Sequence, residues 1–134
     1  MNAGNALDEF KIACEFIRSL AALRFLRLTI LFGATGGLIG AMMSDKVQAD
    51  PKLLLLLRTA GLGVTIAFAA MDYTSSAALR RVRDRANELA AVLQFQTFPV
   101  VSPWSPLGTE GVSRYLHLFL VLLWVFALLR GWLY

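Results

Sequence analysis

The chain has 134 residues and a net charge of +4, and 57% of its residues are hydrophobic while 16% are charged. Soluble domains carry about 45–50% apolar and about 25% charged residues, and a chain this short cannot hide the excess from water. The composition excludes an ordinary soluble domain and predicts membrane lipid as the surroundings. The basic residues are spread over every polar segment, which argues against nucleic acid as a partner and favours lipid head groups.

The first predicted element is an amphipathic helix over residues 5–24. Its apolar positions recur at steps of three and four, as in Leu7, Phe10, Cys14, Ile17 and Ala21. Charged residues interrupt this segment, so no cleavable signal sequence is predicted and the next hydrophobic segment is expected to stay as an anchor. Cys14 is the only cysteine, which excludes an internal disulfide. It is expected to be a small buried side chain, with lipidation as the alternative.

The first predicted span covers residues 25–43, and two rows of small residues cross it. Gly33, Gly37 and Ala41 form one row, and Gly36 and Gly40 form the adjoining one. Such rows let two helix backbones approach closely in lipid. Two interpretations stay open. The rows pack against the second span, which offers Ala60, Gly63 and Ala67 in return, or they form a contact between subunits.

A polar loop, residues 44–51, precedes the second predicted span over residues 53–71. Asp50 followed by Pro51 indicates a helix start, with an N-cap acceptor and then proline in the first turn. Arg58 lies within the span, where a charge is costly. It is expected to extend towards the interface, with a pore-lining or anion-attracting role as the alternative. Asp72 is expected to cap the end of the span.

Residues 73–94 are predicted to form a second amphipathic helix, which can continue from the second span as one long rod. Its apolar residues alternate at steps of three and four and define a predicted cytoplasmic seam of Leu79, Val82, Ala86, Leu89 and Leu93. The seam is expected to be buried against another helix, most simply the helix over residues 5–24.

The third predicted span covers residues 113–133 and follows a loop over residues 95–112, in which three prolines and two glycines break the helix. His117, the only histidine, lies one turn into the span. A hydrogen-bonded interfacial histidine is expected, and a haem or metal ligand is the alternative. Neither a cofactor nor a metal is predicted, because no second histidine or thiolate cluster accompanies it.

The orientation follows from the distribution of basic residues. One side carries nine of the 13 lysines and arginines, which are Lys11, Arg18, Arg24 and Arg27 at the N-terminal side of the first span and Arg80, Arg81, Arg83, Arg85 and Arg114 after the second. The positive-inside rule therefore predicts a cytoplasmic N-terminus and an external C-terminus. The expected location is a cell membrane that the chain crosses several times, most simply the bacterial inner membrane.

The chain shows no nucleophile elbow, no phosphate-binding loop and no dinucleotide fingerprint, so a non-enzymatic role is expected. Its order of parts over residues 5–94 is a helix, a tight hairpin of two spans and an arginine-rich helix. This layout resembles the SLATT-type membrane proteins of bacterial conflict systems, and the third span is an addition to it. The resemblance implies a hairpin that forms a pore when a partner senses infection.

Together these features predict an all-α integral membrane protein with three spans and two cytoplasmic amphipathic helices. The first functional hypothesis is a self-associating small membrane protein that acts as a pore-forming or membrane-perturbing effector. The alternative is an accessory or anchoring subunit of a larger membrane complex. The expected partners are lipids and either further copies of the chain or the subunits of such a complex.

Overall fold

The computed structural model describes residues 3–95 and 109–132, which form three long helices and one short one. The helices are α1 (Ala3–Met42), α2 (Asp45–Gln48), α3 (Pro51–Val92) and α4 (Thr109–Trp132). The three long helices are each long and apolar enough to cross a membrane. The predicted all-α fold with three candidate spans is confirmed at that level. Most of the predicted loop over residues 95–112 lies outside the described residues. Its last four residues, 109–112, are helical and begin α4, because no proline after Pro106 interrupts the backbone there.

Helix α1 joins two elements that the sequence treats separately, the amphipathic segment 5–24 and the span 25–43. No proline interrupts residues 3–42, so nothing forces the backbone out of helical geometry at their junction. Forty residues in α1 correspond to a rod about 60 Å long, twice the roughly 30 Å of a bilayer's hydrocarbon layer. Only part of α1 can therefore lie within hydrocarbon at one time.

The turn between α1 and α3 contains the short helix α2 and ends at the predicted cap. The Asp50 carboxylate accepts hydrogen bonds from the backbone N–H groups of Lys52 at 2.9 Å and Leu53 at 3.2 Å. Pro51 occupies the first helical turn, where its missing N–H costs nothing. The predicted helix start at this Asp-Pro pair is confirmed.

Helix α3 likewise joins the second predicted span and the following amphipathic segment into one continuous rod of 42 residues. It ends without proline or glycine. Gln94 takes a positive φ of 56°, and the N–H of Phe95 donates to the carbonyl of Ala90 at 2.8 Å. A residue in the left-handed region followed by a bond back across the last turn is a common helix stop.

Helix α1 runs antiparallel to α3, and α4 packs along the same α3 helix. We call residues 25–42 and 51–71 the apolar half of the α1–α3 pair, and residues 3–24 and 72–92 the charged half. The buried face of α3 repeats every seven residues, at Thr65, Asp72, Leu79 and Ala86. This repeat keeps one face of a helix against its neighbour over a long distance.

Candidate functional site

A buried polar junction ties the three long helices together where the apolar and charged halves meet. Asp72 lies at its centre and is only 7% exposed. Arg24 of α1 donates from Nε to Asp72 Oδ1 at 2.8 Å, and Ser113 of α4 donates from Oγ to Oδ2 at 2.8 Å. A second Arg24 nitrogen, Nη2, donates to Ser76 Oγ. Both carboxylate oxygens are thus satisfied, and each connects α3 to a different helix.

The chain path explains why these residues meet. The hairpin turns near residue 48, so residue 24 of α1 lies opposite residue 72 of α3. Asp72 and Ser76 are one helical turn apart and share a face, which lets one guanidinium reach both. One turn closer to the hairpin on α1, Arg27 repeats the arrangement by donating to the hydroxyl of Ser75.

His117 extends the junction along α4. Its Nδ1 lies 2.7 Å from the carbonyl oxygen of Ser113, and a carbonyl can only accept, so Nδ1 carries the proton. His117 is 7% exposed. Its other ring nitrogen, Nε2, is buried without a hydrogen-bond partner among the described residues. The expected hydrogen-bonded histidine is observed, although it is buried. In residues 3–95 and 109–132, no group of three or more potential ligands surrounds it or any other site for a metal ion.

Helix α4 presents polar groups to α3 at intervals of seven residues. Within the described part of the chain, Glu110 Oε1, His117 Nε2 and Trp124 Nε1 are the buried side-chain atoms without a hydrogen-bond partner. Glu110 forms an ion pair with Arg80 through its other oxygen, at 3.8 Å. The Trp124 ring lies where a side chain of Gly61 would stand, so α4 approaches α3 as closely as a glycine allows.

A cleft of about 400 Å³ opens between α3 and α4 beside the junction. Asp72, Tyr73 and His117 contribute to its rim, and Ala69 and Val121 contribute apolar walls. The cleft does not reach the unpaired nitrogen of His117, because that atom has almost no accessible surface. In the observed packing, the polar junction connects the three long helices to one another.

The predicted glycine rows of α1 point away from the other helices that the structure describes. Gly33, Gly36, Gly37, Gly40 and Ala41 are all exposed. No atom of the described residues lies within 4 Å of the Cβ position of any of the four glycines. The interpretation that these rows pack against Ala60, Gly63 and Ala67 is therefore wrong for this packing, since those three residues are exposed as well. The rotation of α1 about its axis explains this result. The side of α1 that includes Leu31 and Thr35 faces the neighbouring helices, so the glycine rows face outwards.

Arg58 lies in a second cleft, of about 510 Å³, at the opposite end of the apolar half from the junction. The ends of α1 and α4 and the start of α3 meet there, and Arg130 of α4 lines the same cleft. Arg58 is half-buried. Arg58 does not lie beside the exposed glycine rows of α1, which we call the open glycine face. The structure therefore does not bring the predicted pore charge and the predicted contact surface together within one chain.

The predicted cytoplasmic seam lies along the charged half of α3. Leu79, Ala86 and Leu89 are buried and Val82 and Leu93 are half-buried. Contacts on both sides of the seam connect it to the start of α1. The Arg85 guanidinium donates to the Glu9 carboxylate at 2.8 Å and 3.2 Å, and the rings of Phe10 and Phe95 lie 5.7 Å apart. These contacts place the seam beside the helix that the sequence suggests.

Sequence reasoning missed the junction because its members were interpreted one at a time. From the sequence, Asp72 is predicted to cap a span, Arg24 contributes only to the count of basic residues, and residue 113 marks the start of a span. One signal was available. Folding the chain about the predicted turn pairs an arginine with an aspartate at equal distances from it, and a buried charge requires such a partner.

No protein family, curated protein or solved structure matches this chain. Function is therefore inferred from the junction, the two clefts and the open face of α1.

Proposed function

We propose that this chain is a multi-pass membrane protein that works as an assembly of several copies, with the open glycine face of α1 as the contact between subunits. The observation that carries the proposal is the empty space over four glycines in the apolar half of α1. Interior glycine lowers helix stability by about 1 kcal/mol relative to alanine. The observed packing of the described residues offers no compensation for that cost, and a neighbouring subunit would supply it.

The behaviour of another glycine in the same chain supports this reasoning. At Gly61, the absence of a side chain is used for packing, because the Trp124 ring fills the space. In lipid, helix association depends on such close approach rather than on removing apolar surface from water. The α1 glycines are suited to the same kind of contact, and no helix among the described residues reaches them.

The test is the mass of the purified protein in mild detergent, measured by light scattering. Gly37→Leu is expected to convert the assembly into monomers, because a leucine side chain holds the backbones apart. Gly63→Leu is the matched control, since Gly63 is equally open but lies on α3, and it should leave the assembly intact. A monomeric wild-type protein, or one that carries a foreign subunit in fixed proportion, would replace this proposal with the accessory-subunit alternative.

The proposal includes a cytoplasmic N-terminus, supported by the concentration of basic residues on one side of the three candidate spans. A cysteine placed at Gln48, in a background with Cys14→Ser, is expected to react with a reagent that cannot cross the membrane. A cysteine at Asp84 should be protected in intact cells and react after the membrane is opened. Both positions are exposed, so burial does not confuse the result. The opposite pattern would reverse the orientation.

A second candidate activity is anion conduction by the assembly, favoured by the placement of Arg58 and Arg130 around one cleft. Two guanidinium groups beside one cavity attract anions and repel cations. A conducting hairpin is also what the resemblance to SLATT-type proteins implies. Purified protein in liposomes should release chloride faster than potassium, and Arg58→Ala should reduce that preference. Lys52→Ala, an exposed change at the helix start, is the control. Absence of flux would remove conduction while leaving self-association standing.

A further inference from the structure

A row of exposed residues runs along α1 on a side that faces neither α3 nor α4. Its members follow one another at alternating steps of four and three: Ile12, Phe16, Ser19, Leu23, Leu26, Ile30, Gly33, Gly37 and Gly40. We call these nine residues the outer row. Alternating steps of three and four keep residues on one side of a helix that pairs with another helix. The glycine face is thus the end of a longer feature that begins in the charged half.

Packing among residues 3–95 and 109–132 leaves the outer row uncovered. The buried residues of α1 include Ala13, Arg24 and Leu31. They lie on a different side of the helix from the outer row. Along the outer row, by contrast, Ile12 is 67% exposed and Leu26 is 54% exposed. Two apolar faces therefore share α1, and α3 covers only one of them.

Lipid does not account for the first part of the row. Ile12 and Phe16 stand among charged side chains, including Lys11, Glu15 and Arg18. That charged half lies beyond the length of helix that hydrocarbon can enclose, because α1 is about 60 Å long and the layer about 30 Å thick. Large apolar side chains in water at helical spacing indicate a protein partner.

We infer that α1 pairs in parallel and in register with α1 of a second copy along the whole outer row. This inference rests on the proposed self-association and specifies its partner surface. Two copies that insert with the same orientation are related by a twofold axis along the membrane normal, so each position meets its own counterpart. Glycine then faces glycine in the apolar half, and isoleucine, phenylalanine and leucine face their equivalents outside it.

The composition of the outer row suits such a pair along its whole length. The small residues stand where lipid surrounds the helices and close approach is the source of attraction. The large apolar residues stand mostly towards the charged half, where removing them from water stabilises association. Ser19 is the polar member of the row, and in a symmetric pair its hydroxyl meets another hydroxyl that can both donate and accept.

Disulfide trapping in the full-length protein tests the inference. In a Cys14→Ser background, single cysteines replace the outer-row residues Ile12, Ser19 or Leu26. The matched controls replace the preceding residue in each case, at Lys11, Arg18 and Phe25, which are also exposed. A disulfide requires Cα atoms within about 7 Å of each other. Mild oxidation in membranes should therefore shift the outer-row variants to twice the monomer mass and leave the control variants as monomers.

The outcomes separate this inference from the proposal on which it rests. Equal cross-linking of outer-row and control variants would indicate random collision and overturn the pairing. A wild-type protein that is multimeric in detergent, with no cross-linking at Ile12, Ser19 or Leu26, would preserve self-association and place the contact elsewhere. A monomeric wild-type protein without cross-links would remove both.

Discussion

Replacement of Asp72 is expected to have a large effect on stability, because three helices depend on its carboxylate. Arg24 is 8% exposed, and in Asp72→Ala its guanidinium loses the acceptor that lies 2.8 Å from Nε. The Ser113 hydroxyl loses its acceptor at the same time. The protein must then either hold an unpaired buried cation or separate the helices around it.

The expected size of the effect follows from the burial of the pair. Removing one partner of a buried ion pair typically costs about 3–5 kcal/mol, because the other charge stays behind in a poorly solvating environment. Asp72→Asn retains the shape and an acceptor oxygen, so its cost should be nearer the roughly 1.5–3 kcal/mol of a hydrogen bond to a charged group. In the double variant Arg24→Leu with Asp72→Leu, no charge remains buried, and much of the lost stability should return.

The free energy of unfolding in mixed micelles, titrated with a denaturing detergent and followed by tryptophan fluorescence, measures these differences. Glu9→Gln is the control, because it breaks the Glu9–Arg85 pair, whose side chains are 44% and 48% exposed. Solvent-exposed pairs contribute little, and the unfolding midpoint should not change. A cost below about 1 kcal/mol for Asp72→Ala, or single-variant costs that simply add in the double variant, would refute the junction as a source of stability.

The other predictions use the same unfolding measurement. Gly61→Ala should destabilise the protein by about 1–3 kcal/mol through overpacking against Trp124. Gly63→Ala is the control and should not change stability, because Gly63 has open space around it. Equal effects of the two substitutions would contradict the close packing of α4. Trp124→Ala should lower the free energy of unfolding by about 3–5 kcal/mol. Trp124→Phe should lower it much less, because phenylalanine keeps an aromatic ring in place and removes a buried donor that has no partner in the described residues. Asp50→Ala should cost about 0.5–2 kcal/mol by removing two capping bonds at the start of α3, and an unchanged midpoint would show that Pro51 alone fixes this start.

The helices and their ends were largely predictable from sequence because they depend on local chemistry. The Asp-Pro pair at Asp50 starts α3, and the absence of proline lets each long helix continue through a change from charged to apolar residues. The change in composition near residue 24 suggested two elements in α1. Composition reports the surroundings of a helix, whereas only backbone chemistry ends it.

The packing faces were harder to predict, because α1 carries two apolar stripes with the same helical spacing. The stripe through Leu7 and Phe10 satisfies the periodicity rule, and so does the row through Ile12 and Phe16. Spacing shows that a face is apolar and does not show which neighbour covers it. The same limitation affected the glycines, whose pattern indicates close approach without identifying the approaching helix.

The unbroken backbone of α1 also fixes the rotational phase between its two ends. Each residue turns a helix by about 100°, so one residue inserted near the middle would rotate Ile12 about 100° away from the line of Gly37. An insertion of seven residues nearly completes two turns and restores the alignment. The two ends of α1 are therefore torsionally coupled over several nanometres. If the charged end of α1 rotates about the helix axis, the glycines at the other end rotate with it. Neither end can therefore turn towards a different neighbour alone.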